Sequence, residues 1–248
     1  GPDVRWCGNE AGDTRESEWS VVPGRTSETE MIAKESQQTD DVKFRERKIK
    51  ASDQDLGSRK MLEGEEDLIW YPAEVNTSIR PGWFYHEEED GQVRTLEELM
   101  HIYYNSVGGN ATFLLNIPPA KDGLFHENDV KRLKEMGDHI RSIFAVNLLE
   151  KAKLNIEGVR QDGYDSYFKP EDGIREVEVI ASFPEPVRVS HVVLKENILL
   201  SQRIESFEIT DEEGRVLYRG STVGYKKIAV FPAVEVKELH IRILDSRI

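Results

Sequence analysis

Apolar and polar positions along this chain follow two regimes that meet near residue 150. In the first, strand and helix periods alternate. Leu68 to Tyr71 is a short apolar run and predicts a strand. Ile79 to Tyr85, around a turn signal at Pro81-Gly82, is read as a second. Thr95-Leu96-Glu97-Glu98 has the form of a capping box, with an N-cap hydroxyl and a glutamate three residues on. Leu96, Leu99, Met100, Tyr103 and Tyr104 follow at helical spacing, and Gly108-Gly109 stops the helix. Thr112 to Ile117 is nearly continuously apolar, as in strands buried on both faces of a parallel sheet, and Pro118-Pro119 ends it. A second helix is expected from Asn128 to Phe144, with Val130, Leu133, Ile140 and Phe144 on one face. Helix, buried strand, helix is the repeating unit of an α/β barrel or a doubly wound sheet.

After Leu154 helical periodicity disappears. Glu176–Ser182, Val187–Glu196, Ile204–Thr210, Arg215–Tyr218, Lys227–Phe231 and Val236–Leu244 alternate or run apolar at strand length. Turn signals such as Pro184-Glu185-Pro186 and Asp211-Glu212-Glu213-Gly214 separate them. Short strands at this spacing predict an antiparallel β-sandwich. The fold class is therefore α/β plus all-β, with a partial α/β domain over residues 1–150 and a sandwich over 151–248. Within the first domain, residues 24–67 are strongly polar and read as a surface insertion with one exposed helix around Asp41 to Lys50.

The balance of 47 acidic against 33 basic residues gives a formal net charge of -14. Such a surface repels nucleic acid and anionic lipid, so neither is an expected partner, whereas a neutral ligand such as a sugar feels little of that field. No apolar run approaches the ~20 residues that span a bilayer. Cys7 is the one cysteine, so no intrachain disulfide forms, and a small buried hydrophobe is its expected role. The six histidines show no metal-ligand spacing, and nucleotide and dinucleotide fingerprints are absent, so no metal or cofactor is expected. No signal peptide is visible. The chain opens at Gly1 without methionine and closes on a strand-like run, and both ends read as truncations.

Sugar-processing sites combine carboxylates, which move protons and attack the anomeric carbon, with aromatic faces. Two stretches show that combination. In Trp6-Cys7-Gly8-Asn9-Glu10-Ala11-Gly12, Glu10 stands among small residues on a glycine-rich loop that a substrate can approach; a surface glutamate in a turn is the competing reading. In Trp70-Tyr71-Pro72-Ala73-Glu74 and Thr77 through His86, rings including Trp83 gather around Arg80 and Glu74. The competing reading there is an aromatic core with Arg80 and Glu74 paired.

Gly1-Pro2-Asp3-Val4-Arg5-Trp6 with Gly8-Asn9-Glu10-Ala11-Gly12, continued by Glu18-Trp19-Ser20, resembles the acid/base loop of α-L-fucosidases of glycoside hydrolase family 29. The subgroup acting on α-1,3/1,4-fucosyl branches is the nearest resemblance. Asn76-Thr77-Ser78-Ile79-Arg80-Pro81-Gly82-Trp83-Phe84-Tyr85-His86 resembles the same family, as do Tyr104 to Gly108, Leu114 to Pro119 and Asp122-Gly123-Leu124. Gly224-Tyr225-Lys226-Lys227 fits its C-terminal domain. The resemblance implies the C-terminal part of a (β/α)8-type barrel followed by a β-sandwich, in an enzyme removing α-L-fucose from fucosylated glycans by retaining double displacement. It implies Glu10 as acid/base; Glu74, expected near the end of a strand, is second in line. Trp83 is implied to pack on the sugar's C5-methyl side, Trp6 and Trp19 to supply apolar surroundings, and Arg80 to bind or to hold the loop. Asp3 and Arg5 are implied to brace the loop. The nucleophile belongs to a Trp-x-Asp-Gly-type strand that does not occur in these residues, so the fragment is expected to be inactive alone. The resemblance further implies a parent that is secreted, periplasmic or surface-associated in a bacterium. A non-catalytic carbohydrate-binding protein is the alternative.

Overall fold

A computed structural model describes residues 4–24, 55–159 and 166–247. The helix expected at Asp41 to Lys50 and the bracing residue Asp3 lie outside them. The first part is built on three parallel strands in the order β1 (Arg5–Trp6), β4 (Ala73–Ser78), β5 (Ala111–Asn116). β2 (Val21–Pro23) and β3 (Leu68–Trp70) form an antiparallel ribbon, with the four-residue α1 (Arg59–Leu62) between them in sequence. Helices α2 (Leu96–Ser106) and α3 (Glu127–Ile143) complete the α/β part.

The sheet has one covered face. Cys7, Ala73 and Val75 pack with Ile102 of α2, against which Ala111 and Phe113 also lie. Ile79, Leu99, Met100 and Met136 form the core between α2 and α3. Burial raises the Cys7 thiol pKa to about 12, helped by the nearby Glu18 carboxylate, so the thiol stays protonated and behaves as a core residue.

The capping box forms as read. Thr95 Oγ1 accepts from the Glu98 backbone N–H at 3.2 Å, and Glu98 accepts from the Thr95 N–H at 2.7 Å. Helix α2 ends at the glycine pair, where a Cβ on Gly109 would stand 1.9 Å from the Asn105 carbonyl oxygen.

Three expectations change. The strand placed at Ile79–Tyr85 is a loop, and the strand lies before it at Ala73–Ser78. Its polar Glu74 and Asn76 hid it, because they occupy the face turned away from the helices. β5 has the same asymmetry: Phe113 packs inward while Leu114 is 49% exposed, so it is not buried on both faces among the described residues. On α3, Asp129 and Met136 are buried, whereas Val130 is 49% exposed.

The second part is an antiparallel sheet in the order β6 (Lys153–Leu154), β7 (Val177–Leu194), β10 (Lys227–Ser246), β8 (Ile204–Asp211), β9 (Val216–Gly220). Four of the six expected strands merge into two, β7 and β10, while β8 and β9 stay separate, and Pro184 and Pro186 do not end β7. They fall in a register break where Ser182 pairs Glu238 and Val187 pairs Val236, so neither is asked to donate to the ladder. A straight strand of 18 residues would run roughly 60 Å. The register breaks bend β7 and β10, and Ala181, Phe183, Val189 and Val192 share one core with Ala229, Phe231, Leu239 and Ile241. This is an antiparallel β domain of the sandwich kind.

Candidate active site

Parallel α/β strands present functional groups at their C-terminal ends. Here β1 leads directly into the loop carrying Glu10, and β4 leads into the loop carrying Trp83. The two loops meet. The Trp83 indole Nε1–H donates to Glu10 Oε2 at 2.8 Å, and both residues are half-buried.

Each partner is held from below. Thr77 Oγ1–H, next to last in β4, donates to the Glu10 carbonyl at 2.6 Å. Arg94 donates to Thr77 Oγ1 at 3.2 Å and to the Ser78 carbonyl at 2.8 Å. Ser78 Oγ donates to the Gly82 carbonyl at 2.7 Å. Asn116, last in β5, donates to Ser78 Oγ and to the Trp83 carbonyl, both at 3.0 Å. Within the Glu10 loop, Asn9 Oδ1 accepts from the N–H groups of Ala11 and Asp13 at 3.1 and 3.2 Å. Gly12 adopts φ +99 against Ile102, where a side chain would collide. Three strand ends thus fix a carboxylate and an indole relative to each other.

The other candidates lie elsewhere. Arg80 is 1% exposed and points into the protein. Its Nε–H is shared by both Asp129 carboxylate oxygens at 3.1 and 3.0 Å, and its Nη1 reaches Asp90 at 2.9 Å and the His86 carbonyl. Its ion-pair partners are these two aspartates, on α3 and on the short 3-10 turn after His86, and not Glu74. Arg80 therefore ties the loop bearing Trp83 to α3. Trp19 is 3% exposed and carries the Arg247 guanidinium over its ring at 3.7 Å, which makes it a contact with the β domain.

Trp6 and Glu74 are register partners in adjacent parallel strands and share the sheet face opposite the helices. Glu74 is the second residue of β4, about 10 Å below Thr77 at 3.3 Å per residue, so it opens the strand instead of ending it. A shallow hollow of about 160 Å³ borders Asp90, Asn128 and Arg132, away from both Glu10 and Trp83. No group of His, Cys, Asp or Glu among the described residues could hold a metal ion. No described helix is long and apolar enough to cross a membrane.

Sequence reasoning passed over Thr77, Arg94 and Asn116, which hold the site together. Only Asn116 carried a local signal, a polar side chain ending the largely apolar run of β5; Thr77 sits in a strand with other polar residues, and Arg94 sits in the loop before α2.

The α-L-fucosidase family model matches residues 1–143. α-L-Fucosidase 1 of Arabidopsis thaliana is 33% identical over 266 residues, covering 100% of this chain and 48% of its own. The chain spans about half the length of the curated relatives it matches. Among solved structures, a candidate α-L-fucosidase of Bacteroides ovatus is 37% identical with a TM-score of 0.75, over 100% of this chain and 39% of that one. A Ruminococcus gnavus family 29 fucosidase solved with fucose shares the fold, with a TM-score of 0.77 at 24% identity over 98% of this chain and 48% of that one.

Proposed function

The chain belongs to the α-L-fucosidase family, and on that premise we propose that it supplies the acid/base half of a retaining α-L-fucosidase site, with Glu10 as the proton donor and acceptor. The observation that carries this reading is the Trp83–Glu10 hydrogen bond at the C-terminal ends of the parallel strands. An N–H donated to Oε2 commits that oxygen as acceptor, which leaves Oε1 to carry the transferable proton. In the first step Oε1–H protonates the glycosidic oxygen while a second carboxyl, about 5–5.5 Å away, attacks the anomeric carbon. In the second step the Glu10 carboxylate takes a proton from water, which displaces the enzyme carboxyl and leaves the anomeric configuration retained.

Position supports the remaining roles. The Trp83 ring stands beside the proton donor and provides the apolar wall for the sugar's methyl side. Trp6 and Glu74, on the inner face of the sheet, line the floor below. Arg80 acts by holding the Trp83 loop. The attacking carboxyl comes from barrel strands beyond these residues, so this chain alone does not turn over substrate. The substrate is a fucosylated oligosaccharide or glycoconjugate, with α-1,3/1,4-linked branches as the preferred class. The catalytic part ends near residue 150, where the chain passes into the β domain.

The test is made in a polypeptide that carries these residues within a complete barrel. Glu10→Ala is expected to lower turnover of fucosylated oligosaccharides by about 10²–10⁴-fold, while an activated nitrophenyl fucoside, which needs little protonation on departure, loses far less. Equal losses on both substrates, or no loss, remove Glu10 from the role. Fucose binding without any turnover in the complete barrel supports a carbohydrate-binding protein instead.

A further inference from the structure

The segment that closes the Glu10 loop, Arg15 to Ser20, is gripped by the β domain. At the base of the loop Glu18 pairs with Arg5 on β1, immediately before the loop, and with Arg15 on its return. Each of the three is at most 3% exposed. The Glu18 carbonyl accepts from Asn110 Nδ2 at 2.9 Å and from Gln202 Nε2 at 3.0 Å. Gln202 Oε1 in turn accepts from the Ser20 N–H at 2.9 Å and from Asn110 Nδ2 at 3.3 Å. One side-chain amide from the β domain thus meets residues 18 and 20 with both its donor and its acceptor, as a neighbouring strand would.

The backbone around this amide is strained. Among the described residues, Asn110 (φ 64) and Ser201 (φ 96) are the two non-glycine positions with positive φ. Asn110 contributes to the amide cluster, and Ser201 directly precedes Gln202. Ser201, at φ 96 and ψ 162, occupies a region that is nearly exclusive to glycine. Such conformations persist where the surrounding structure over-determines them, and they gather at functional constraints. Asn110 Oδ1 also accepts from the Tyr225 N–H at 2.7 Å, and a Cβ on Gly224 would stand 2.3 Å from the Asn110 side chain. Both departures from ordinary backbone therefore converge on one buried junction at the stem of the Glu10 loop.

We propose that Gln202 is a positioning residue for the acid/base Glu10, through which the β domain sets the loop that carries the proton donor. This rests on the assignment of Glu10 above. Seven residues lie between Glu10 and Glu18, and the intervening turns are internally tied by Asn9 and anchored by Thr14 Oγ1 on the Asn105 carbonyl. A shift at the stem is therefore passed to the carboxyl instead of being absorbed. Misplacing a catalytic group by about 1 Å costs up to ~10²-fold in rate.

The experiment uses a barrel-complete polypeptide with Gln202→Met, which fills the same space without hydrogen bonding, and Gln202→Glu, which keeps the shape but loses both amide donors. Arg242→Ala, which removes ion pairs with Glu178 and Glu208 inside the β domain, is the control. The expected result is a loss of about tenfold or more in kcat on a fucosylated oligosaccharide in both Gln202 variants. The nitrophenyl fucoside is affected less, KM stays nearly constant and the control is unchanged. Equal loss on both substrates, or no loss in a folded variant, overturns the role of Gln202. If both variants fail to fold, the residue is only structural and the proposal falls as well. Failure of Glu10→Ala to separate the two substrates overturns the acid/base reading itself, so the two failures are distinguishable.

Discussion

The indole N–H of Trp83 donates to Oε2 of Glu10 at 2.8 Å, across 73 residues of chain. A carboxylate acceptor and an amide acceptor polarise an N–H differently, because charge-assisted hydrogen bonds are the stronger. Glu10→Gln is therefore expected to move the Trp83 indole resonance further than those of Trp6, Trp19 and Trp70 in a proton–nitrogen correlation spectrum. Trp83→Phe identifies the peak by deleting it. A spectrum in which all four indole signals stay in place contradicts the contact.

Arg80 and Asp129 form a buried ion pair, and breaking such a pair leaves an uncompensated charge. Asp129→Ala is expected to destabilise the chain by roughly 3–5 kcal/mol. Urea unfolding followed by tryptophan fluorescence checks this. A loss under ~1 kcal/mol, the range of exposed ion pairs, would show that the loop after β4 is held by other contacts.

His191 of the β domain joins the α/β part by hydrogen bonding the Tyr104 hydroxyl through Nε2 at 3.0 Å, with Ser190 Oγ on Nδ1 at 2.8 Å. Burial lowers its pKa below 6.5, and the nearby His139 adds to this. Below pH 6.5 the unfolded chain binds a proton at this site that the folded chain resists, so this junction loses stability as the pH falls through 6.5. Thermal unfolding measured at pH 7.5 and 5.5 is expected to show a larger difference for the unsubstituted chain than for His191→Gln. Identical differences contradict this.

Glu98 behaves with the acidic sign. The Thr95 backbone N–H, then its hydroxyl, lower the Glu98 pKa below its ordinary 4.5. The capping contribution is complete above pH 4.5 and is lost as pH falls through the lowered folded value. Thr95→Ala is expected to cost about 1 kcal/mol at pH 7. Urea unfolding at pH 7 and pH 3 checks both parts, since the gap between variant and parent narrows at the lower pH.

Much of this architecture was legible from periodicity. Leu96 to Tyr104 with its capping box, and the strands from Ile204 onward, carry patterns that tertiary contacts reinforce. β4 was misplaced because alternation is a signal of one apolar face, and its other face carries Glu74 and Asn76 beneath the site. Pro184 and Pro186 read as a chain break, yet a β-bulge tolerates them without ending the strand. At the site, Glu10 stood in a recognisable loop, whereas Trp83 stood in a recognisable motif that was read as a strand. Arg80 lay in the same motif, and its direction was not legible: nothing local announces that its partners are Asp90 and Asp129 and not Glu74. Gln202 was invisible for the same reason, since its meaning comes from contact with Glu18, 184 residues earlier.

The most direct test of the central claim is azide rescue of Glu10→Ala in a barrel-complete polypeptide, using an activated α-fucoside as donor. With the attacking carboxyl intact and the acid/base removed, azide needs no general base and takes the place of water in the second step. The account predicts restored turnover with α-fucosyl azide as product, the substrate configuration being retained through two displacements. Formation of β-fucosyl azide would show that Glu10 is the nucleophile, and an absence of rescue in a variant that still binds fucose would remove it from the chemistry.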